Sequence, residues 1–274
     1  MLAAALDEPV WRTSAKGSFM FLEIQGQVIN TVSFGQGGMT VVGIAGAFGT
    51  WEVWQQPFEL LSSMHRTVGY DHFGTGQTRV PRELVTFEQQ TVLLVNMLDA
   101  YDIERCILAG DSNMSAVALE VAHRHPGRVD GLILVSGGIE YAPNERATRF
   151  VSGLRRSFDA TLEAFVRLCL PEDHSGHLRA WLTDIIARTG GDRAADLVES
   201  FYDVQIRPKL SEIRVPTLIV HGALDAVNPL AAAEEMAGAI PGAQLNVIPD
   251  AGHVPTLSRP VDVVAAMQGF IRSL

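Results

Sequence analysis

The chain is short of cysteine and of long apolar runs, and each shortage excludes a class of protein. Cys106 and Cys169 are the only cysteines among 274 residues. We therefore expect reduced, buried thiols in a cytoplasmic protein, rather than a disulfide framework. No run reaches the roughly 18 apolar residues that a membrane span needs. The apolar stretch at residues 2–6 is too short for a signal peptide.

Positive charge is also scarce. Lysine and arginine number 21 against 31 aspartate and glutamate residues, which gives a net charge of −10. An acidic chain of this kind argues against binding to nucleic acid or to an anionic membrane surface. The expected partner is a small-molecule substrate, and a homodimer remains open.

What the chain does have is apolar material for a large core. Hydrophobic residues make up 47% of the sequence and charged residues 19%. This balance fits one large α/β domain with an insertion, and it argues against disorder. No internal repeat or low-complexity segment is evident.

Strand-like and helical patterns alternate along most of the chain. Residues 19–24 and 28–34 flank a Gln-Gly-Gln turn, which predicts a hairpin. Further apolar runs predict strands at residues 40–44, 67–71, 106–109, 129–136, 217–221 and 244–248. Helical spacing predicts helices at residues 51–61, 87–101, 115–122, 229–239 and 261–271. The alternation predicts a mostly parallel sheet with helices on both faces and an antiparallel N-terminal hairpin.

The alternation of strand-like and helical patterns stops after residue 137. Residues 145–154, 160–168, 177–187 and 193–202 have helical patterns, and no clear strand interrupts them. We expect residues 138–204 to form a helical cap over the carboxyl edge of the sheet, where α/β sheets bind their ligands. Residues 1–137 and 205–274 would then form the core.

Ser112 is the most informative single residue. It follows the predicted strand at residues 106–109 and precedes a predicted helix. A serine at such a sharp turn exposes its hydroxyl, and the following helix directs backbone N–H groups towards whatever the hydroxyl attacks. This arrangement is typical of a nucleophile, although serine is also a common helix N-cap.

An unaided serine needs a base, and the base needs an acidic partner. Asp225 follows the strand at residues 217–221, and His253 follows the strand at residues 244–248. Because the carboxyl ends of parallel strands share one edge of a sheet, the three residues should meet. The order Ser–Asp–His therefore predicts a catalytic triad of Ser112, Asp225 and His253.

Four motifs resemble those of the α/β-hydrolase superfamily, in particular its capped esterases, lactonases and carbon–carbon hydrolases. Residues 110–119 read GDSNMSAVAL, where the family often has GHSMGGAVAL. The others are Pro216 to Asp225 (P-T-L-x-x-x-G-x-x-D), Gly252-His253, and Asp71 with Gly74 and Gly76 (D-x-x-G-x-G). The resemblance covers nearly the whole chain and implies an α/β-hydrolase fold.

The resemblance also implies the remaining site residues. Two backbone N–H groups, from Ala47 and Asn113, would form the oxyanion hole. Phe48, Met114 and Trp181 are predicted to line the substrate pocket, with Met114 narrowing it where the family has glycine. No cofactor and no metal are expected.

The expected activity is hydrolysis of a small-to-medium, largely apolar carboxylic ester or lactone through an acyl-serine intermediate. Two alternatives use the same scaffold: a carbon–carbon hydrolase of a dicarbonyl substrate, and a ligand-binding receptor. An apolar substrate is favoured because no cationic clamp is obvious, although Arg79, Arg82, Arg155 and Arg156 could supply one.

Several polar residues have competing interpretations. Asp111 is a rival nucleophile, but packing or hydrogen bonding beneath the turn is the favoured role. Asp250 competes with Asp225 as the partner of His253. His221 is interpreted as a core histidine. Asp173, His174 and His177 could bind a metal, but a solvated loop is favoured because no further ligand set is evident.

Overall fold

The computed structural model describes residues 17–274, which build one eight-stranded sheet in the order β1-β2-β4-β3-β5-β6-β7-β8. Strands β1 and β2 form an antiparallel hairpin, and β2 pairs antiparallel with β4. Every other neighbouring pair is parallel. The mostly parallel sheet and its antiparallel hairpin are therefore confirmed, while the expectations for residues 1–16 lie outside the described residues.

The strand bounds agree with the predicted runs to within about two residues. They are Ser18–Ile24 (β1), Gln27–Phe34 (β2), Thr40–Ile44 (β3), Arg66–Tyr70 (β4), Cys106–Asp111 (β5), Val129–Val135 (β6), Thr217–Gly222 (β7) and Gln244–Ile248 (β8). Strands β5 and β7 are buried along their whole length, as expected for central strands covered on both faces.

In residues 17–274, ten α-helices connect or extend these strands. They are Gln55–Leu61 (α1), Phe87–Ala100 (α2), Met114–Arg124 (α3), Glu145–Arg156 (α4), Phe158–Cys169 (α5), Gly176–Ala187 (α6), Gly191–Glu199 (α7), Leu230–Ala239 (α8), Pro255–Ser258 (α9) and Pro260–Ile271 (α10). Helix α1 packs against α10, and α2 packs against α3. Within residues 17–274, no helix combines the length and apolar character required to cross a membrane.

Both cysteines are free and buried, in agreement with the prediction. The tryptophans before α1 also belong to the core. Trp54 is fully buried and stacks on Phe58, with ring centroids 5.9 Å apart. This stack fills the space between β3 and α1, since a side chain at Gly43 of β3 would meet both rings.

Four helices, α4 to α7, lie between β6 and β7, where the sequence predicts a cap. Polar contacts tie this segment to the sheet domain. Arg188 forms an ion pair with Glu52 at 2.5 Å, and the Thr189 hydroxyl donates to the carbonyl of Phe48 at 3.2 Å. The helical segment is thereby held against the loop that follows β3.

Asp71, which directly follows β4, binds the backbone of the chain after this loop, at Trp51. Its carboxylate accepts hydrogen bonds from the backbone N–H groups of Trp51 (3.1 Å) and Gln77 (2.9 Å) and from the side-chain amide of Asn30 (2.9 Å). Asp71 is almost fully buried. Its carboxylate therefore links three segments of the chain, around Asn30, Trp51 and Gln77.

We expect Asp71→Ala to lower the free energy of unfolding by about 3 kcal/mol, because it leaves buried donors without an acceptor. Urea denaturation followed by circular dichroism measures the effect. Asp99→Ala is the matched control, since Asp99 is exposed and pairs only with Arg128 at the surface, which predicts a loss below about 1 kcal/mol. Equal losses in the two variants would contradict the role of Asp71.

Candidate active site

The turn between β5 and α3 holds Ser112 in a left-handed backbone conformation, with a φ of 52°. A non-glycine residue adopts such a φ only where the surrounding structure enforces it. Here the Ser112 N–H donates to the Val135 carbonyl of β6 at 2.8 Å, and the Ser112 carbonyl accepts from Ser115 at 3.1 Å. Gly110 permits the close approach, because a Cβ there would lie 2.6 Å from the Met114 carbonyl oxygen.

Ser112, His253 and Asp225 form one continuous chain of hydrogen bonds. His253 Nδ1 lies 2.8 Å from Asp225 Oδ2, and His253 Nε2 lies 2.9 Å from Ser112 Oγ. A carboxylate only accepts hydrogen bonds, so Nδ1 carries the proton and Nε2 accepts from the hydroxyl. This is the arrangement in which an imidazole can remove the proton of a serine.

Two backbone donors fix Asp225 in place. Its other carboxylate oxygen accepts from the N–H groups of Val227 (2.8 Å) and Asn228 (2.9 Å). Asp250, the competing candidate, is exposed and makes only a 3.9 Å contact with Arg259. The structure thus brings Asp225, and not Asp250, to His253.

The loop that carries His253 is anchored to the helical segment. The His253 N–H donates to the carbonyl of Cys169, the last residue of α5, at 2.8 Å. The Gly252 N–H donates to the carboxylate of Glu172 at 2.8 Å. A Cβ at Gly252 would lie 2.3 Å from the Pro171 ring, so only glycine allows this contact.

Charge and burial shift the pKa of His253 in opposite directions. Burial lowers the pKa of the imidazole, but the hydrogen bond and negative charge of Asp225, with a further contribution from Asp111, raise it above its ordinary value of 6.5. Burial also raises the pKa of Asp111 to about 6, against the opposing effect of His253. The site therefore contains two carboxylates that stabilise a protonated His253.

Asp111 is buried directly before Ser112 and contacts the loop after β3. Its Oδ2 accepts from the Gly46 N–H at a long 3.4 Å, and its Oδ1 is buried without a partner among residues 17–274. In this loop the Gly49 N–H donates to the Gly46 carbonyl at 2.8 Å, which closes a tight turn.

The two predicted oxyanion-hole donors flank Ser112. Asn113 follows it directly, and Ala47 lies in the turn of residues 46–49. Within residues 17–274, neither backbone N–H donates a hydrogen bond to the protein. An oxyanion hole requires donors without a partner in the protein, and the assignment of these two groups to one stays a prediction.

A small cavity of about 50 Å³ lies beside Ser112. Most of its wall is apolar, and it is lined by Gly46, Ala47, Phe48, Gly49, Val53, Asp111, Ser112, Phe165, Cys169, Leu182, Ile186, His253 and Val254. Helices α5 and α6 supply four of these side chains, so the helical segment covers the site.

Of the predicted pocket residues, the structure brings only Phe48 to this cavity. Met114 is fully buried at the start of α3, within the hydrophobic core, and does not narrow the site. Trp181 is half-buried on α6, while its neighbour Leu182 lines the cavity, because successive helical residues point about 100° apart. Phe165 was missed as an individual pocket residue, since its helical spacing alone does not say which face of α5 meets the sheet.

The remaining polar candidates do not line the cavity beside Ser112. The His221 Nε2 bonds to the Asn228 carbonyl at 2.9 Å and lies 3.3 Å from Asp225, which agrees with a core histidine. His174 and His177 are exposed in the helical segment. Among residues 17–274, no group of three histidine, cysteine, aspartate or glutamate side chains could hold a metal ion.

The chain is similar in sequence to proteins that are named as hydrolases. The chain is 28% identical over 242 residues to a Caulobacter sp. (strain K31) protein named "Putative carbamate hydrolase RutD", which covers 85% of this chain and 90% of that protein. It is 29% identical over 234 residues to a pimeloyl-(acyl-carrier protein) methyl ester esterase of Nitrosomonas europaea, covering 80% and 90%.

The fold is shared with solved structures. An enol-lactonase from Burkholderia xenovorans LB400 superposes with a TM-score of 0.87 at 22% identity, covering 92% of this chain and all of that one. The family model described as the alpha/beta hydrolase fold matches residues 40–260, from the first residue of β3 to the first residue of α10. The chain therefore belongs to the α/β-hydrolase fold family.

Proposed function

We propose that the protein hydrolyses a carboxylic ester or lactone through an acyl intermediate on Ser112. The observation that carries the proposal is the hydrogen-bonded chain from the Ser112 hydroxyl through His253 to the buried Asp225. The names of the relatives support the same class of substrate, since the Nitrosomonas protein is an ester hydrolase by name.

In the first half of the reaction, His253 Nε2 takes the proton of the Ser112 hydroxyl as the oxygen attacks the carbonyl carbon. The carbonyl electrons move to its oxygen, where the N–H groups of Ala47 and Asn113 stabilise the charge. One such donor contributes roughly 3–4 kcal/mol to the transition state. The tetrahedral intermediate then expels the alkoxide, which takes the proton from Nε2.

In the second half, water replaces the alcohol. His253 Nε2 takes a proton from the water as its oxygen attacks the acyl carbon, and collapse of the intermediate expels the Ser112 oxygen, which recovers the proton. Throughout, Asp225 accepts the Nδ1–H of His253 and stabilises the imidazolium. In a lactone the alkoxide stays attached to the acyl group, so the product is a hydroxy acid.

The cavity favours an apolar substrate. Apart from Asp111, Ser112 and His253, the side chains that line it are apolar or belong to cysteine. Of the four arginines considered as clamps for an anionic substrate, Arg82 and Arg155 pair with acidic residues of α7. Arg79 donates to a backbone carbonyl, that of Arg188.

We expect Ser112→Ala and Asp225→Asn each to lower kcat for a p-nitrophenyl ester by about 10⁴-fold, because the three side chains act as a unit. The double variant Ser112→Ala/His253→Ala should be no slower than Ser112→Ala. Asp250→Asn is the control, because Asp250 is exposed and lies in the same loop as His253. The kcat of this variant should differ from the wild-type value by less than about twofold.

Two assays separate this function from the alternatives. A fluorophosphonate should label Ser112 in the wild-type protein and not in Ser112→Ala, as detected by peptide mass spectrometry. Ligand binding without labelling would indicate a receptor. Turnover of a diketone with no turnover of esters or lactones would indicate a carbon–carbon hydrolase, and either result would refute the proposal.

The pH profile tests the role of charge. His253 acts as a base only when neutral, and its pKa is raised, so kcat/KM should climb with pH and level off above an apparent pKa higher than 6.5. Asparagine has nearly the same volume as aspartate but carries no charge. Asp111→Asn therefore removes a negative charge near His253 with little change in packing. The apparent pKa should therefore fall, and the variant should keep more of its maximal activity at pH 6.

The exposed residue Asp99 provides the matched control, and Asp99→Asn should leave the profile in place. An apparent pKa that stays the same or rises in Asp111→Asn would mean that Asp111 does not act on His253 through its charge.

A further inference from the structure

The cavity beside Ser112 is too small for the substrates that the site could process. Its volume is about 50 Å³, whereas small-molecule sites occupy about 300–1,000 Å³. Any apolar chain attached to the scissile bond must extend into other space.

A much larger space lies next to it, between helices α4 and α5. This α4–α5 groove has a volume of about 1,020 Å³. Small and apolar residues form most of its surface, among them Ala147, Gly153, Ala160, Ala164 and Leu168. Leu168 is 43% exposed although it is apolar, which leaves an uncovered apolar surface inside the groove.

Apart from Thr161 on α5, the polar residues of the groove lie at one end, at the start of α4, and contact other groups of the protein. Arg149 pairs with Glu145 at 2.6 Å, and Arg146 donates to the Ala226 carbonyl at 3.0 Å. The Asn144 side chain accepts from the Ala147 N–H and caps α4. The rest of the groove therefore suits an unbranched apolar chain.

One residue, Phe165, lines both the cavity and the groove. Its ring centroid lies 5.6 Å from that of Phe48 on the cavity side and 5.1 Å from that of Phe150 on the groove side. Phe48 and Phe150 are themselves 6.1 Å apart. The three rings form a thin partition between the two spaces.

Two other surface grooves have no such connection. One lies along β8 and α10, and the other beside β1 and Tyr101. Neither shares a lining residue with the cavity at Ser112. Among these three grooves, continuity with the catalytic serine selects the α4–α5 groove.

We propose that the α4–α5 groove binds the apolar chain of the ester substrate, and that Phe165 is the gate residue that connects it to Ser112. A change of Phe165 to another staggered rotamer would open the partition. The chain could belong to the acyl or to the alcohol part of the ester, since both are apolar. This inference rests on the proposed ester hydrolysis at Ser112.

The first test fills the groove. Ala160→Trp places a large side chain in the groove, on the exposed surface of α5. Glu163→Trp is the matched control, because Glu163 is exposed on the same helix but does not line the groove. The readout is the ratio of kcat/KM for long-chain over short-chain esters, in an acyl series (p-nitrophenyl octanoate and acetate) and an alcohol series (octyl and methyl butyrate).

We expect Ala160→Trp to lower this ratio at least tenfold in one of the two series, which identifies the part of the ester that occupies the groove. Glu163→Trp should change it less than twofold in both. An unchanged ratio in both series for a folded Ala160→Trp would overturn the inference. Wild-type hydrolysis of acetate would still support the proposed function, whereas no ester hydrolysis at all would refute that function itself.

The second test removes the gate. Phe165→Ala should raise the long-to-short ratio at least fivefold, mainly through a lower KM for the long ester, because the chain no longer has to displace a ring. A thermal unfolding curve confirms that the variant is folded. An unchanged ratio in folded Phe165→Ala would overturn the role of Phe165 as the gate.

Discussion

The position of His253 between Ser112 and Asp225 is the constraint on which the rest of the site depends. The imidazole must reach two partners that lie on loops after different strands, at 2.9 and 2.8 Å. Errors of about an ångström in such contacts weaken catalysis strongly. The backbone N–H of His253 donates to the Cys169 carbonyl, and the N–H of the preceding Gly252 donates to the Glu172 carboxylate. The helical segment is therefore part of the support of the triad as well as its cover.

The two carboxylates of the site are both buried, but they differ in their hydrogen bonds. Asp225 is satisfied by two backbone N–H groups and by His253, so its acceptor geometry is fixed. Asp111 has one long hydrogen bond and a second oxygen without a partner among the described residues. Its burial raises its pKa to about 6, so its charge changes in the pH range in which histidines titrate. The electrostatic field at His253 thus depends on pH itself.

Most of the fold and the meeting of Ser112, Asp225 and His253 could be predicted from the sequence, and the reason is geometric. Apolar runs and helical spacing identify the elements, and the carboxyl ends of parallel strands meet at one edge. Residues placed directly after β5, β7 and β8 must therefore lie near one another. The loop after β3 joins them because Asp71 and Asp111 bind its backbone.

The pocket walls could not be predicted in this way. Which face of α5 or α6 meets the sheet depends on how the helical segment docks, and that is set by contacts distant in sequence, such as Arg188 with Glu52. Trp181 and Leu182 are neighbours in sequence, yet only Leu182 reaches the cavity. Met114 lies next to the nucleophile loop but is directed into the core, because the close approach of strand and helix occurs at Gly110.

The aromatic partition implies a dependence on chain length that follows from simple magnitudes. Moving Phe165 aside breaks its contacts with Phe48 and Phe150, and aromatic pairs contribute roughly 0.5–1.5 kcal/mol each, or about 1–3 kcal/mol for the two. Burial of a methylene group returns about 0.8 kcal/mol. About two to four methylenes in the α4–α5 groove would therefore offset the open partition. Shorter chains leave the rings in contact, so discrimination between esters would arise from the packing of Phe165, without any polar contact to the chain.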